Sequence, residues 1–146
     1  MAKTIKQISV FSENKPGKLF KIAETLGKAN VNIRALMIAE SGDFGIVRLI
    51  VDKPEDAYDA LRNVGFTVSE TNVIGIRMDD QPGGLLKIAD VLASKNINMD
   101  YAYAFVTPGS ASNAALVIRV SDTDAAVSAL ENSGIELFEE GYFKKQ

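Results

Sequence analysis

Neither cysteine nor histidine occurs anywhere in the 146 residues. Without thiols the chain forms no disulfide, offers no thiolate to a metal and supplies no sulfur nucleophile. Without imidazole it has no side chain that titrates near neutrality unless a pKa is moved far. Ser/His/Asp hydrolysis, Cys/His catalysis and the usual zinc chemistry all need residues that are missing here. No stretch approaches the ~20 consecutive apolar residues of a membrane helix. Met1 to Ser12 alternates polar with apolar where a secretory signal would carry a solid apolar block. Excess positive charge is lacking too: 16 basic against 19 acidic residues give a net charge of -3 and a pI near 5.0, with Lys144-Lys145 the one basic cluster. Nothing here draws the chain to phosphate backbones or anionic lipid. The expectation is a cytoplasmic protein with no nucleic-acid or membrane partner, no cofactor and no metal.

What the chain does have is a proper core composition, 47% apolar with 24% charged residues, well clear of the regime of disorder. The length suits one domain, or two modules of about 70 residues. An internal repeat decides between them. Sliding the chain by 66 positions aligns Asn14–Ile33 with Asp80–Met99, and nine of those twenty positions are identical: Pro16/Pro82, Gly17/Gly83, Leu19/Leu85, Lys21/Lys87, Ile22/Ile88, Ala23/Ala89, Leu26/Leu92, Asn30/Asn96 and Asn32/Asn98. Further on the offset becomes 69, pairing Ala60 with Ala129, Leu61 with Leu130, Asn63 with Asn132 and Gly65 with Gly134. The second copy therefore carries a net insertion of three residues, assigned to Thr107-Pro108-Gly109-Ser110.

Both copies read alike. Ile5–Phe11 and Val73–Met78 suit strands that run into a polar turn ending in Pro-Gly. Leu19, Ile22, Ala23 and Leu26, repeated as Leu85, Ile88, Ala89 and Leu92, have the spacing of one buried helical stripe, with Pro16 and Pro82 expected in the first turn. Asn30 and Asn96 stop these helices. Strands Asn32–Ala39 and Asn98–Val106 follow, then hairpins into Phe44–Val51 and Ala114–Val120 through Ser41-Gly42-Asp43 and Pro108–Asn113. Second helices begin near Asp52–Asp56 and Ser121–Asp124, with caps of the expected type and acidic first turns, and end at Gly65 and Gly134. Short last strands, Thr67–Glu70 and Glu136–Glu140, complete βαββαβ twice. The expected fold is α+β, two tandem ferredoxin-like modules whose antiparallel sheets carry helices on one face, 1–70 and 71–146.

Strand, Asn/Asp-x-Pro-Gly-x-Leu, then an amphipathic helix ending in Asn-Val-Asn-Ile or Asn-Ile-Asn-Met closely resembles the ACT domain, in both copies. The Pro-Gly-x-Leu turn with an Asn fifteen residues after the glycine carries the likeness. The resemblance implies a regulatory module that pairs side by side with another ACT domain and binds a small ligand, commonly an amino acid, at the seam. It also implies a partner among the enzymes or regulators of amino-acid metabolism. In serine-sensing relatives the contacts come from the Asn of the strand-helix turn and from the Asn opening the second strand, which correspond to Asn14 and Asn32, and to Asp80 and Asn98. Asp80 departs from that pattern. So do Ser12 and Met78, where some relatives carry histidine, so serine specificity does not carry over.

The residues themselves suit the two charged ends of an amino acid. A helix N-terminus has unpaired N–H groups for a carboxylate, here Gly17, Lys18 and Leu19 or Gly83, Gly84 and Leu85, with the doubled glycine expected to leave more room in the second copy. Asn14, Asp80, Asn32 and Asn98 offer acceptors for the ammonium. Met99, Tyr101, Tyr103 and Phe105 alternate along one strand face. They read first as core, and Tyr101 and Tyr103 as pocket walls if that strand lies at the seam. Plain structural readings stand beside these: Pro-Gly is good turn chemistry in any protein, and Asn30 and Asn96 are helix stops. Two further functions compete with the sensor. One is a dimerisation module whose turns are only turns; the other is an enzyme resting on Asp79, Asp80 or Glu139. The apolar character of both faces of Phe44–Val51 and Ala114–Val120 predicts a homodimer or larger assembly.

Overall fold

The computed structural model describes residues 3–106 and 113–144, so the insertion assigned to residues 107–110 lies outside the described residues. The chain divides into two compact units. One holds Lys6–Thr71 with the segment from Gly141 onward; the other holds Asn72–Glu140 with the chain start as far as Ile5. They are called the first and second module below.

The first module runs β1 (Ile5–Glu13), α1 (Lys18–Lys28), β2 (Ile33–Ser41), β3 (Phe44–Val51), α2 (Pro54–Asn63) and the start of β4 (Thr67–Asp79). β3 lies between β1 and β2, antiparallel to both, with Ile8 and Leu36 opposite Leu49 and with Val10 and Ile38 opposite Val47. Directly paired residues share a face. Ile8, Val10, Val47 and Leu49 therefore meet Ile22 and Leu26 of α1 and Ala57 and Leu61 of α2 in one core. The second module repeats this with the rest of β4, α3 (Gly84–Ser94), β5 (Met99–Val106), β6 (Asn113–Val120) and α4 (Thr123–Asn132). β6 is central, and Ile74, Ile76, Leu116 and Ile118 form its core with Ile88, Leu92, Ala126 and Leu130.

Each of these four helices ends in the same device. Asn30 (φ 61), Asn96 (φ 57), Gly65 (φ 96) and Gly134 (φ 79) take the left-handed conformation. The next residue's N–H reaches five positions back: Val31 to Leu26 O (2.9 Å), Ile97 to Leu92 O (2.9 Å), Phe66 to Leu61 O (3.1 Å) and Ile135 to Leu130 O (3.0 Å). This is the Schellman motif, and it closes carbonyls that the helix ladder leaves open.

Three expectations are corrected. The last strand of the second copy is a single bridge, Leu137 to Ile76, and the chain then turns into the short helix α5 (Glu140–Lys144), whose Phe143 is buried. The buried helical stripe is also rotated. Ile22, Thr25 and Leu26 face the sheet, with Ala29 against the same core, whereas Leu19 (43% exposed) and Ala23 fall on the flank. Leu85 (51% exposed) and Ala89 do likewise in α3. Thirdly, no side chain of the expected start, Asp52–Asp56, caps α2. The N-cap is Lys53, with no side-chain hydrogen bond, while Asp52 Oδ1 accepts from the Asn32 N–H at 2.8 Å. In α4 the acidic cap is present, Asp122 Oδ1 accepting from the Ala125 N–H at 3.1 Å.

Candidate functional site

In both modules the strand leads into its helix through a type II β-turn. Lys18 N–H bonds Lys15 O (3.3 Å) and Gly84 N–H bonds Gln81 O (3.0 Å). Proline holds the second position of each turn, and glycine the third, at φ 90, ψ -12 for Gly17 and φ 89, ψ -5 for Gly83. Type II geometry demands positive φ at that third position, which is why glycine stands there. Pro16 and Pro82 thus precede the helices instead of opening them. One donor of each expected set is taken by the turn itself. With the Lys18 and Gly84 N–H groups consumed by the turn, the N–H groups of Gly17, Leu19 and Phe20, and of Gly83, Leu85 and Leu86, are the ones without an acceptor in the helix ladder.

The expected extra room at Gly84 is absent. A Cβ there would fall on the carbonyl oxygen of Asp79, so the bare Cα serves a close strand-helix approach. The first module has Lys18 at this position, and its Nζ lies 3.6 Å from Glu13 Oε1, while Lys15 Nζ lies 3.2 Å from Glu13 Oε2. The hydrogen bond from Lys15, then the charges of Lys15 and Lys18, hold the Glu13 carboxyl below the usual glutamate value.

The other expected site residues are spread out. Asn14 is exposed, and its N–H bonds Asp43 O at 2.8 Å, tying the turn to the β2–β3 hairpin. Asp80 is exposed in the equivalent turn. Asn32 lies past the other end of α1, beside Asp52 in a groove of about 420 Å³ shared with Gly27, Asn30, Val31 and Lys53. Asn98 donates from Nδ2 to Asp100 Oδ1 at 3.0 Å. An 11-residue helix spans ~16 Å at 1.5 Å per residue, so one module does not bring Asn14 and Asn32 together. Tyr101 and Tyr103 stand opposite Arg119 and Val117, on the face of the sheet away from α3, while Ala102 and Ala104 share the helix side with Ile118 and Leu116. The structure therefore does not place the tyrosines with their own module's Pro-Gly turn.

Beside each turn lies a groove that adds residues the sequence did not point to onto Lys18 and Gly84, which it did. In the second module it measures about 190 Å³ and is lined by Arg77, Asp79, Gly84, Lys87, Ile135 and Glu136, among others. Its counterpart in the first, about 320 Å³, is lined by Phe11, Glu13, Lys18, Lys21, Phe66 and Thr67, among others. A signal was present in the repeat, because Lys21/Lys87 is one of its nine identities. Arg77 is tied down, with Nε 3.1 Å from Glu136 Oε1 and the guanidinium 4.8 Å above the Phe138 ring. Among the described residues there is no group of three or more metal-ligating side chains and no helix long and apolar enough to cross a membrane.

The likeness to known proteins agrees with this architecture. Protein BT0572 from Bacteroides thetaiotaomicron has a similar crystal structure, with a TM-score of 0.91 and 38% identity over 99% of each chain. The ligand-free regulatory subunit of aspartate kinase from Thermus thermophilus shares the fold, with a TM-score of 0.65 and 16% identity over 90% of this chain and 93% of that one. The equivalent subunit from Thermus flavus gives 0.61 and 15% over 92% and 94%. No curated protein matches the sequence. The family model described as the ACT domain pair matches residues 3–144, and with two βαββ units each led into its first helix by a Pro-Gly turn, the chain belongs to that family.

Proposed function

We propose that the chain senses a free amino acid without catalysing a reaction, and that the ligand's charged ends rest on the Pro-Gly turns at a seam between two modules. The observation that carries this reading is the recurrence of strand, type II turn and helix in both modules, with matching glycine dihedrals and the same first-turn N–H groups left over. Such donors at the positive end of a helix suit a carboxylate. Membership of a family of regulatory folds supports it, as does the fold shared with regulatory subunits of aspartate kinase. The separation of Asn14 from Asn32 along α1 supports a seam, because a ligand touching both needs a second module to supply one of them. The carboxylates an enzyme would rely on, Asp79, Asp80 and Glu139, are all exposed to solvent. A cytoplasmic protein acting on an enzyme or regulator of amino-acid metabolism is the matching cellular role.

A scaffold that only pairs with other proteins is the second reading. It is favoured by the structural use of the turns: the space at the Gly84 Cα is filled by Asp79 O, and the Lys18 and Gly84 N–H groups are already bonded. Isothermal titration with each of the twenty amino acids separates the two. Saturable heat with a small subset, and a matching rise in Tm, supports the sensor. No heat and no thermal shift with any of them leaves the scaffold.

A further inference from the structure

We infer that residues 134–144 form a two-position strap: α5 docks it on the first module, and the Arg77–Glu136 pair beside the second module's Pro-Gly turn holds it there. Here the second copy departs from the first. The counterpart, residues 65–75, runs from Gly65 almost at once into the 13-residue strand β4, whereas the second copy makes one bridge, Leu137 to Ile76, and leaves the sheet. The holds at that end converge on Arg77. Its N–H bonds Glu136 O (2.9 Å), its Nε lies 3.1 Å from Glu136 Oε1, and its guanidinium stacks over Phe138, whose N–H bonds Gly75 O (2.8 Å). Arg77 and Glu136 both line the groove beside Gly84.

The other end belongs to the first module, which takes the chain from Gly141 onward. Phe143 is 2% exposed, and its carbonyl accepts from Arg34 Nη1 at 3.4 Å, while Gly141 and Tyr142 are exposed. Arg34 stands at the bulge of β2 between Ile33 and Ala35, two residues after Asn32. A five-residue helix is far below the ~12–15 residues that hold alone in water, so α5 keeps its form only while Phe143 is seated. Phe143 lies outside both core clusters, so undocking leaves the cores closed. Gly141 has no positive φ and open space where a Cβ would stand. The docked form does not require glycine there, and its freedom serves the undocked one. A consequence rests on the amino-acid reading above: a ligand carboxylate in the groove competes with Glu136 for Arg77 and frees the strap. The state of the second module's turn is then carried to Arg34 by whether Phe143 O engages it.

Native-state hydrogen exchange on the full chain tests the two positions without a ligand. Amides of α5 should exchange about a hundredfold faster than those of β6, through an opening that leaves the cores closed. Glu136→Gln should speed them about two- to fivefold, the scale of an exposed ion pair. Gly141→Ala should slow them by about the same factor, with β6 unchanged in both. The chain has no tryptophan, so Tyr142→Trp supplies a single fluorescent reporter. Adding Phe143→Ala to it should give the emission of a solvent-exposed indole while far-UV circular dichroism stays native. Equal protection of α5 and β6, an unmoved rate in Glu136→Gln, or loss of native dichroism with Phe143→Ala would overturn the strap. Amino-acid titration keeps the two readings apart. An amino acid that gives heat should move the reporter toward the exposed emission, and by reciprocity Phe143→Ala should bind it about two- to tenfold more tightly. Heat with the reporter unmoved overturns the strap as the sensor's output and leaves the sensor standing. No heat from any amino acid removes the sensor, and the exchange rates then decide the strap alone.

Discussion

The two modules repeat one fold while distributing large and small residues in opposite ways. On the edge strand of the first, leucine and isoleucine occupy the helix side and Ala35, Met37 and Ala39 the other. On that of the second, alanines occupy the helix side, and Tyr101, Tyr103 and Phe105 the other. At the helix start the first module carries Lys18 and a Glu13–Lys15–Lys18 ion cluster, where the second has Gly84 pressed on Asp79 O, with Asp79 and Gln81 at the other two positions. The shared features, the type II turn and the Schellman ends, are the ones backbone geometry requires. Of the features that differ, Gly84 answers to a close strand-helix approach within its module, and the others lie on surfaces, where side chains are chosen for what meets them from outside.

The largest difference should appear at the helix start. Gly84→Ala would force a methyl group onto a backbone carbonyl and should destabilise the protein by about 1–3 kcal/mol, whereas Lys18→Ala at the equivalent position should stay within about 0.5 kcal/mol. Paired denaturant titrations measure both, and equal effects would mean that strand and helix approach each other alike in both modules after all.

A comparable effect is expected on ligand binding from the charge that distinguishes the two turns. Asp80→Asn should weaken amino-acid binding by about 1.5 kcal/mol or more if the carboxylate holds the ammonium, and Asn14→Ala by about 1 kcal/mol or less. Calorimetry on both variants checks this, and tighter binding by Asp80→Asn would move the site to the first module's turn. Valine in place of Gly17 or Gly83 is not a clean probe, since both glycines have φ near +90 and a side chain there is strained whatever it meets.

The smallest effect belongs to Glu13. Its carboxyl is held below the usual value by Lys15 and Lys18. A lowered folded-state pKa contributes stability that is present above the ordinary carboxylate range and is lost as pH falls through the folded value. Glu13→Gln should therefore leave stability unchanged in strong acid and lower it slightly near neutrality. Denaturation midpoints across that range report the slope, which should be small because the pair is solvent-exposed. At the matching position of the second module, Asp79→Asn has no lysine pair to lose among the described residues.

The turns at the candidate site were legible in the sequence, for a local reason. Pro-Gly before an amphipathic run fixes a type II turn through the two residues' own dihedral limits, and Asn30 and Asn96 stop helices because asparagine tolerates the left-handed region. Alternation placed Tyr101, Tyr103 and Phe105 on one strand face but did not say which face the helices cover. The stripe Leu19, Ile22, Ala23, Leu26 is off by one row for a related cause: a flank residue and a buried residue can satisfy the same spacing, and only the position of the helix over the sheet separates them.

The sequence by itself determined the repeat, the order of elements in the first module and as far as α4 in the second, the Pro-Gly turns and the helix ends, all of which follow from dihedral preferences and periodicity within a few residues. Tertiary structure decided the rest. It put Asn14 and Asn32 at opposite ends of one helix, filled the space above Gly84 with a carbonyl, reduced the last strand to a bridge and a short helix, and left Leu36 and Ile38 uncovered at an edge. Each of these depends on which distant backbone arrives at a given point, and no local preference encodes that.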